Sequence, residues 1–317
     1  SSDMTDYKTL KGFDIQVLTS DPSPVAVGQV WYNSTDKKFN INKTVETWTE
    51  GNNLNTARKN AWGCGIQTAA LSVDGAGSPS PNKFSEEYDG TSWAEGGDTN
   101  TAKANHAAFG IQTAALACAA GTSEEYDGSS WTEGTDLDTS RTGPAGFGTQ
   151  TAGAAVGGYT TAAVGLTEEY NGASWAESGD LNTAGNNTGA SGTQTAGLAM
   201  GGDGSRMAGG ETEEYNGTGW TESGDLNEGR YHFARGGTQA ATIAAGGGDD
   251  NNSPVYLDTV EIYDGTSWAT GTAINTTRIG VAGAGTITAA VAWGGNTGSV
   301  VDNSEEWSSA AATQEIT

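Results

Sequence analysis

The sequence is poor in long apolar runs, in basic residues and in proline, and each shortage excludes a class of protein. No stretch of 18 apolar residues occurs in the 317-residue chain, which excludes a membrane-spanning helix. Lys and Arg number 14 against 39 Asp and Glu, so the net charge of -25 argues against nucleic acid and anionic membranes as partners. Six prolines beside 49 glycines, without a Gly-X-Y period, exclude a collagen-like chain.

Cysteine is also scarce, and no targeting segment is visible. Cys64 and Cys118 show no metal-ligand spacing, so we expect two free thiols rather than a disulfide. The N-terminus has no basic region followed by an apolar segment, which is the pattern of a signal peptide. The aromatic residues fall at regular positions, which indicates a folded acidic protein rather than a disordered one.

A repeat accounts for most of the chain. The octapeptide "EEYDGTSW" at 86–93 returns with small changes, and six copies are marked by a tryptophan every 38 to 48 residues: Trp48, Trp93, Trp131, Trp175, Trp220 and Trp268. Five residues before Trp lies the Tyr slot, which holds Tyr88, Tyr126, Tyr170, Tyr215 and Tyr263, and Trp307 in the last copy. We predict that these rings fill the space between neighbouring sheets.

Two charged slots have fixed spacing as well. Two residues before the Tyr slot lie Glu86, Glu124, Glu168, Glu213, Glu261 and Glu305. Ten residues after Trp lie Arg58, Lys103, Arg141, Arg230 and Arg278, with Gly185 as the exception. Because residues two apart on a strand share a face, we predict that the Glu points with the Tyr toward a neighbouring sheet and pairs there with the basic residue. The alternative is a solvated acidic row.

Each copy reads as four short strands punctuated by Gly, Asn and Asp, with no helical period. Four-stranded units repeated six times predict an all-β fold, a six-bladed β-propeller of antiparallel blades. The copies begin with a fourth strand around Trp48 and end with a third strand, so we expect an N-terminal strand to complete the last blade and close the ring. The predicted division is a leader at 1–44 and the propeller at 45–317.

The order of a basic residue, a Gly-Gly pair, Tyr and Trp resembles the kelch repeat over roughly residues 45–309. The pair occurs as "VGG" at 156, "MGG" at 200, "AGG" at 245 and "WGG" at 293, but is replaced at Asp74-Gly75 and Ala119-Ala120. The stretch "DLNTAGNNTGASGTQTAGLAMGG" with "TEEYNGTGW" is similar to kelch-like propellers of marine bacteriophages. The leader "TSDPSPVAVGQVWYNSTDKKFN" resembles N-terminal modules of phage tail and fibre proteins. The resemblance implies a virion protein attached to other virion proteins through residues 1–44.

Nothing in the sequence indicates catalysis, and we expect no enzyme, cofactor or metal. His106 and His232 occupy nearly equivalent positions of two copies without an accompanying Cys, Asp or Ser, so we predict structural or surface roles. The repeated glutamate pairs argue for framework, because a catalytic acid and base need different environments. The run at 249–252 has oxygen ligands but lacks the spacing of a calcium loop.

The length variation is confined to one segment of each copy, between the second and third strands, where 14 to 24 residues separate the middle of the Gly-x-Gln-Thr turn from the Tyr slot. Such loops on a rigid scaffold usually carry recognition. We predict binding of a host cell-surface glycan or protein through loop residues Tyr159, Arg206, Asp249, Asp250, Asn251, Asn252 and Tyr256. The alternatives are a cellular kelch-type protein-interaction scaffold and, less favoured, an enzyme acting on polysaccharide.

Overall fold

The protein is described by a computed structural model that covers residues 15–77, 80–203, 210–249 and 255–316. These residues form 28 β-strands and no helix, which confirms the all-β prediction. Accordingly, the described residues include no helix of the length and hydrophobicity that crossing a membrane requires. The chain folds as two compact units, the described parts of Ser1–Thr47 with Ser308–Thr317, and Trp48–Trp307.

The smaller unit is built on β1 (Gln16–Leu18), β2 (Val30–Asn33), the first part of β3 (Lys38–Glu50) and the last part of the C-terminal strand. β1 pairs with β2 in parallel, and β2 pairs with β3 as an antiparallel hairpin. Trp31 is fully buried, and its indole N–H donates to Asp21 at 2.9 Å. The predicted boundary after residue 44 falls inside β3.

The larger unit contains six antiparallel sheets, numbered 1 to 6 in chain order, of which the first five have four strands each. Sheet 1 contains β5 (Trp62–Ile66), β6 (Ala69–Val73), β8 (Ser85–Tyr88) and β9 (Trp93–Glu95). Sheet 2 contains β10 (Ala107–Ile111), β11 (Ala114–Ala119), β12 (Thr122–Tyr126) and β13 (Trp131–Glu133). Sheet 3 contains β14 (Ala145–Thr149), β15 (Ala152–Val156), β16 (Thr167–Tyr170) and β17 (Trp175–Glu177). β4 (Arg58–Lys59), which precedes β5 in the sequence, pairs with β7 (Ala76–Gly77), which follows β6, as a separate antiparallel two-stranded ladder.

The remaining three sheets follow the same order. Sheet 4 contains β18 (Gly189–Thr193), β19 (Ala196–Met200), β20 (Thr212–Tyr215) and β21 (Trp220–Glu222). Sheet 5 contains β22 (Ala234–Thr238), β23 (Ala241–Asp249), β24 (Val255–Tyr263) and β25 (Trp268–Gly271). Sheet 6 contains β26 (Ala282–Gly285), β27 (Ala289–Trp293), β28 (Ser304–Glu315) and β3. β3 therefore supplies the fourth strand of sheet 6.

The turn of the "EEYDGTSW" motif joins the third strand to the fourth. In sheet 1 the Asp89 carboxylate accepts the N–H groups of Thr91 and Ser92 at 2.8 and 2.7 Å, and Gly90 has φ +89°. An Asx turn followed by a left-handed glycine reverses the chain within two residues. The Asp-Gly and Asn-Gly dipeptides thus set the outer hairpin of every sheet from 1 to 5.

A second glycine is required where the first strand turns into the second. The fourth residue of each first strand is a glycine with φ between +98° and +132°, and a Cβ would lie 2.1 to 2.5 Å from a carbonyl oxygen of the second strand: Gly65, Gly110, Gly148, Gly192, Gly237 and Gly285. No other residue fits such a site without moving the backbone. This glycine begins the Gly-x-Gln-Thr turn of the sequence.

The first strands also bring the six sheets together. β5 contacts β10, and the contacts continue in chain order through β14, β18, β22 and β26; β26 in turn contacts β5. The buried apolar side chains lie mainly between neighbouring sheets. The architecture is therefore all-β and propeller-like.

Candidate functional site

Each sheet of the larger unit contains a buried carboxylate on its third strand, in the Glu slot. In five sheets it forms an ion pair with the basic residue of the same copy: Arg58–Glu86, Lys103–Glu124, Arg141–Glu168, Arg230–Glu261 and Arg278–Glu305. All ten side chains are at most 4% exposed, so the alternative of a solvated acidic row is wrong. In sheet 4, where Gly185 replaces the basic residue, Glu213 accepts the Asn182 N–H at 2.7 Å.

The ion pair lies within one repeat and not between neighbouring sheets, which corrects the predicted direction. Glu86 accepts the backbone N–H groups of Asn55 and Thr56 at 2.6 and 3.2 Å, and Arg58 donates to the Phe84 carbonyl at 2.6 Å. Strand alternation identifies the face that carries the glutamate, but the incoming linker crosses that face and supplies the donors. The pair therefore holds each linker to its own third strand.

Neighbouring sheets are joined by the Tyr slot and by the second Glu of the motif. Each tyrosine hydroxyl donates to a glutamate of the preceding sheet: Tyr88 to Glu306, Tyr126 to Glu87, Tyr170 to Glu125, Tyr215 to Glu169 and Tyr263 to Glu214. The last four O···O distances are 2.5 to 2.7 Å. Burial, followed by the carboxylate, raises the pKa of Tyr170 to about 12.

Glutamine side chains join the same pairs of sheets. Each Nε2 group donates at 2.8 to 3.1 Å to two backbone carbonyls of the preceding sheet, from Gln67, Gln112, Gln150, Gln194 and Gln239. The acceptors of Gln67 are Ala290 and Trp307 in sheet 6. These five Tyr–Glu and Gln contacts define the polar junctions.

The contact between sheets 5 and 6, the apolar junction, differs at every one of these positions. Trp307 replaces the tyrosine, Ile262 the second glutamate and Ile287 the glutamine. Ile262 and Ile287 pack on a buried cluster that includes Trp307 and Trp48. The indole N–H of Trp307 donates to the Ile287 carbonyl at 2.8 Å.

The tryptophans of the Trp slot complete both kinds of junction. In sheets 1 to 5 each tryptophan packs on the tyrosine of its own sheet with ring centroids 4.9 to 5.0 Å apart: Trp93, Trp131, Trp175, Trp220 and Trp268. In sheet 6 the rings of Trp48 and Trp307 are 5.3 Å apart. The indole N–H of Trp220 donates to Thr167 of sheet 3 at 3.0 Å.

The loop residues predicted to bind a ligand lie beside the linkers. Tyr159, 44% exposed, forms a bridge with Thr142 of the linker before sheet 3. In sheet 5, half-buried Tyr256 pairs with Gly248, and Asp249 pairs with Val255. Arg206, Asp250, Asn251 and Asn252 lie outside the described residues. Because Gly248 also bridges to Tyr231 of a linker, the linkers and these loops share one side of the larger unit, the loop face.

Residues from the first strands of all six sheets line one cavity, here named the central cavity. Three consecutive residues from each strand line it, and its volume is about 110 Å³. A smaller loop-side cavity, lined by Trp62, Thr188, His232 and Arg235 among others, lies where the linkers meet the first strands. Glycine and alanine dominate the central lining, so backbone groups of the six edge strands face this space.

Arg235 lines both cavities. Its guanidinium carbon lies 3.3 Å from the centre of the Trp62 ring, and Nη1 donates to the Phe233 carbonyl at 3.4 Å. Throughout the described ranges, no carboxylate lies within ion-pair distance of Arg235. Burial lowers the pKa of Arg235 to about 9, so the side chain carries its charge at neutral pH.

Several polar atoms near Arg235 have no hydrogen-bond partner. They are Thr188 Oγ1 and His232 Nε2, which belong to the lining of the loop-side cavity, and both ring nitrogens of buried His106. Burial lowers the pKa of His106 to about 3, with further contributions from Lys103 and Arg235. Burial and Arg235 lower the pKa of His232 to about 4. Both imidazoles are therefore neutral at pH 7.

The cysteines are free and buried, in agreement with the prediction. Burial raises the pKa of Cys64 and of Cys118 to about 12, so neither is a thiolate at neutral pH. Within the part of the chain that the structure describes, no group of three His, Cys, Asp or Glu side chains has the geometry of a metal site.

Arg235 was not among the residues predicted from the sequence, although an alignment of the copies contains the signal. The second residue of the first strand is Gly63, Ala108, Gly146, Ala190 and Gly283 in the other five sheets. In this slot the other copies have only glycine or alanine, so the arginine of sheet 5 is not explained by the structural role that the slot has in the repeat. Comparison with protein-family models and with curated proteins finds no match for the chain.

Proposed function

We propose that the six sheets are the blades of a closed, kelch-like β-propeller and that β3 completes the last blade. Two observations support closure. Tyr88 and Gln67 of sheet 1 bind sheet 6 through the contacts that join sheets 1 to 5 in series. The fourth strand of sheet 6 comes from β3, which precedes sheet 1 in the chain.

We further propose that the chain is a non-catalytic component of a bacteriophage virion, located in a tail, fibre or capsid-associated position. Residues 1–44 attach it to other virion proteins, and the loop face binds a glycan or protein of the host cell surface. No cofactor, nucleic acid or membrane insertion is involved. The motif resemblance supports the virion assignment, and the surplus of acidic residues disfavours nucleic acid.

One observation carries the binding proposal, namely that the variation in length between the repeats is confined to the loop face. The ion pairs, glycines and junction contacts recur from sheet to sheet, whereas the segments after the second strands differ in length and sequence. Exposed Tyr159 and half-buried Tyr256 both lie in these variable segments. Tyrosine provides a large amphipathic contact at low entropic cost, which suits recognition of sugars or proteins.

The test is binding of the labelled protein to host cells and to a glycan array, with Tyr159→Ala and Tyr256→Ala as variants. We expect each variant to weaken binding by about tenfold, as expected for an aromatic at the centre of an interface. Ile111→Ser is the matched control, because Ile111 is 56% exposed but lies at the Gly-x-Gln-Thr end of sheet 2.

Equal binding by both tyrosine variants and the wild type would exclude the loop face as the binding surface. Detection of the chain in purified particles tests the virion assignment separately. Capture of one soluble cellular protein, with absence from particles, would favour the kelch-type scaffold instead. Turnover of a polysaccharide would favour an enzyme.

A further inference from the structure

The charged side chain of Arg235 differs from the arginines of the ion pairs, because no carboxylate of the described chain lies within ion-pair distance of it. Arg58, Arg141, Arg230 and Arg278 are each held by a buried glutamate. Arg235 has the ring of Trp62 and one long hydrogen bond. Arg235 is half-buried, and a cation that has lost part of its hydration without gaining an anionic partner favours the binding of an anion.

The surroundings of Arg235 have the features that a small anion needs. The central cavity, at about 110 Å³, is lined by Arg235, and the edge strands of all six sheets border it. On the loop side, Thr188 Oγ1 and His232 Nε2 line a cavity together with Arg235 and lack hydrogen-bond partners. Thr188 is 1% exposed, so its hydroxyl has no access to bulk water.

We propose that Arg235, stacked on Trp62, is the cationic centre of a binding site for one small oxyanion group, a phosphate, a sulfate or a carboxylate. The guanidinium binds two oxygens of the group as a fork, and Thr188 and His232 donate further hydrogen bonds. The group is either a free ion or the acidic substituent of a larger ligand that reaches the cavity from the loop face. This site depends only on the described core of the larger unit and not on the proposed host binding.

Isothermal titration calorimetry and thermal unfolding test the proposal at neutral pH and constant ionic strength. The probes are inorganic phosphate, sulfate, acetate and galacturonate. We expect saturable binding of at least one probe and a rise of the unfolding temperature with its concentration. Binding of the inorganic ions identifies a free-ion site, and binding of galacturonate alone identifies a sugar acid; both outcomes support an anion site.

The variants separate charge, geometry and fold. Arg235→Ala is expected to weaken binding by about tenfold or more, and Arg235→Lys by less, because it keeps the charge without the fork. Thr188→Val is expected to weaken binding by about threefold to tenfold, although the unliganded protein should be at least as stable as the wild type, because a buried hydroxyl without a partner is removed.

Lys83→Ala is the matched control, since Lys83 is an exposed cation outside the cavities. Absence of saturable binding to every probe by the wild type would overturn the proposal. So would equal affinities of the wild type and Arg235→Ala. If Arg235→Ala does not fold, Arg235→Lys and Thr188→Val decide, and unchanged affinity in both would overturn it.

Discussion

The apolar junction between sheets 5 and 6 and the polar junctions elsewhere connect sheets with the same strand arrangement, but the side chains that make the contacts differ. At a polar junction a tyrosine hydroxyl binds a carboxylate and a glutamine binds two carbonyls of the preceding sheet, as Tyr170 and Gln150 do. At the apolar junction Trp307, Ile262 and Ile287 pack together. Three positions from two repeats therefore differ as a group.

The coordinated change has a simple physical reason. A glutamate at position 262 would face an indole whose N–H already donates to the Ile287 carbonyl, so its carboxylate would lose the hydroxyl donor. An isoleucine facing a tyrosine would leave the hydroxyl without an acceptor. A polar contact needs a donor on one sheet and an acceptor on the other, and an apolar contact needs apolar side chains on both. The residues of a repeat protein must therefore be compared junction by junction rather than copy by copy.

The buried ion pairs are common to both kinds of junction, and their loss should have the largest effect. Arg141→Met in the linker before sheet 3 and Arg278→Met in the linker before sheet 6 each leave a buried glutamate without its cation, and we expect each to lower the free energy of unfolding by about 3–5 kcal/mol. Chemical denaturation measures both values. A difference much larger than 1 kcal/mol between them would show that the junction type affects the pair.

A double-mutant cycle completes this comparison. Arg141→Met combined with Glu168→Gln should lower stability by less than the sum of the single losses, because the second change removes the unpaired charge. The matched control combines Arg141→Met with Glu261→Gln, which belongs to a different pair. Strictly additive losses within the Arg141–Glu168 pair would contradict its role as one unit.

Exchanging the chemistry of the apolar junction should have the next largest effect. Trp307→Tyr removes part of a fully buried ring and the hydrogen bond to Ile287, and we expect a loss of about 1–3 kcal/mol. Adding Ile262→Glu supplies the acceptor found at the polar junctions. The double variant should be more stable than the sum of the single changes predicts, by about 1–2 kcal/mol.

The same cycle has a clear negative outcome. If Trp307→Tyr and Ile262→Glu are additive, the two positions are not coupled through a hydroxyl–carboxylate contact. The matched control pairs Trp307→Tyr with Ile66→Gln, because Ile66 is exposed and outside this junction.

The repeat explains how much of this could be predicted from the sequence. The fixed spacings of Glu, Tyr, Trp and glycine were enough to predict the order of the strands and the all-β class, because each slot has the same backbone role in every sheet. The direction of Glu86 was wrong, since alternation specifies a face but not which linker crosses it. β1 and β2 lie outside the repeat and had no periodic signal. The roles of Arg235 and Ile262 could not be predicted, because they depend on contacts with residues of other copies that only the structure shows.

Replacing a junction glutamine should have a smaller effect than the tryptophan exchange. Gln112→Ile copies the apolar junction into a polar one and leaves the Ala70 and Tyr88 carbonyls without their donor. We expect a loss of about 1–2 kcal/mol in the free energy of unfolding. The reverse change Ile287→Gln adds a donor where backbone carbonyls of sheet 5 occupy the equivalent positions, and should be closer to neutral. A larger loss from Ile287→Gln than from Gln112→Ile would contradict the assignment of the two junction types.

The smallest expected effect is at one tyrosine hydroxyl. Tyr170→Phe removes the 2.5 Å hydrogen bond to Glu125 while keeping the ring contact with Trp175, and should lower stability by about 1 kcal/mol at neutral pH. The folded-state pKa of Tyr170, about 12, lies above the ordinary value of 10.0, so the unfolded chain loses the proton first. Stability contributed by this hydroxyl is complete below pH 10 and is lost as the pH rises from 10 to 12.

The variant should therefore flatten the decline of stability with pH in this range, by at most about 1.4 kcal/mol per pH unit. Tyr159→Phe is the control, because Tyr159 is 44% exposed and makes no junction contact in the described structure. Trp307→Tyr with Ile262→Glu should have the opposite effect and steepen the decline, since it gives the sixth junction the alkaline-sensitive hydroxyl that the other five possess. Equal slopes in all four proteins would mean that the tyrosine–carboxylate contacts do not distinguish the polar junctions from the apolar one.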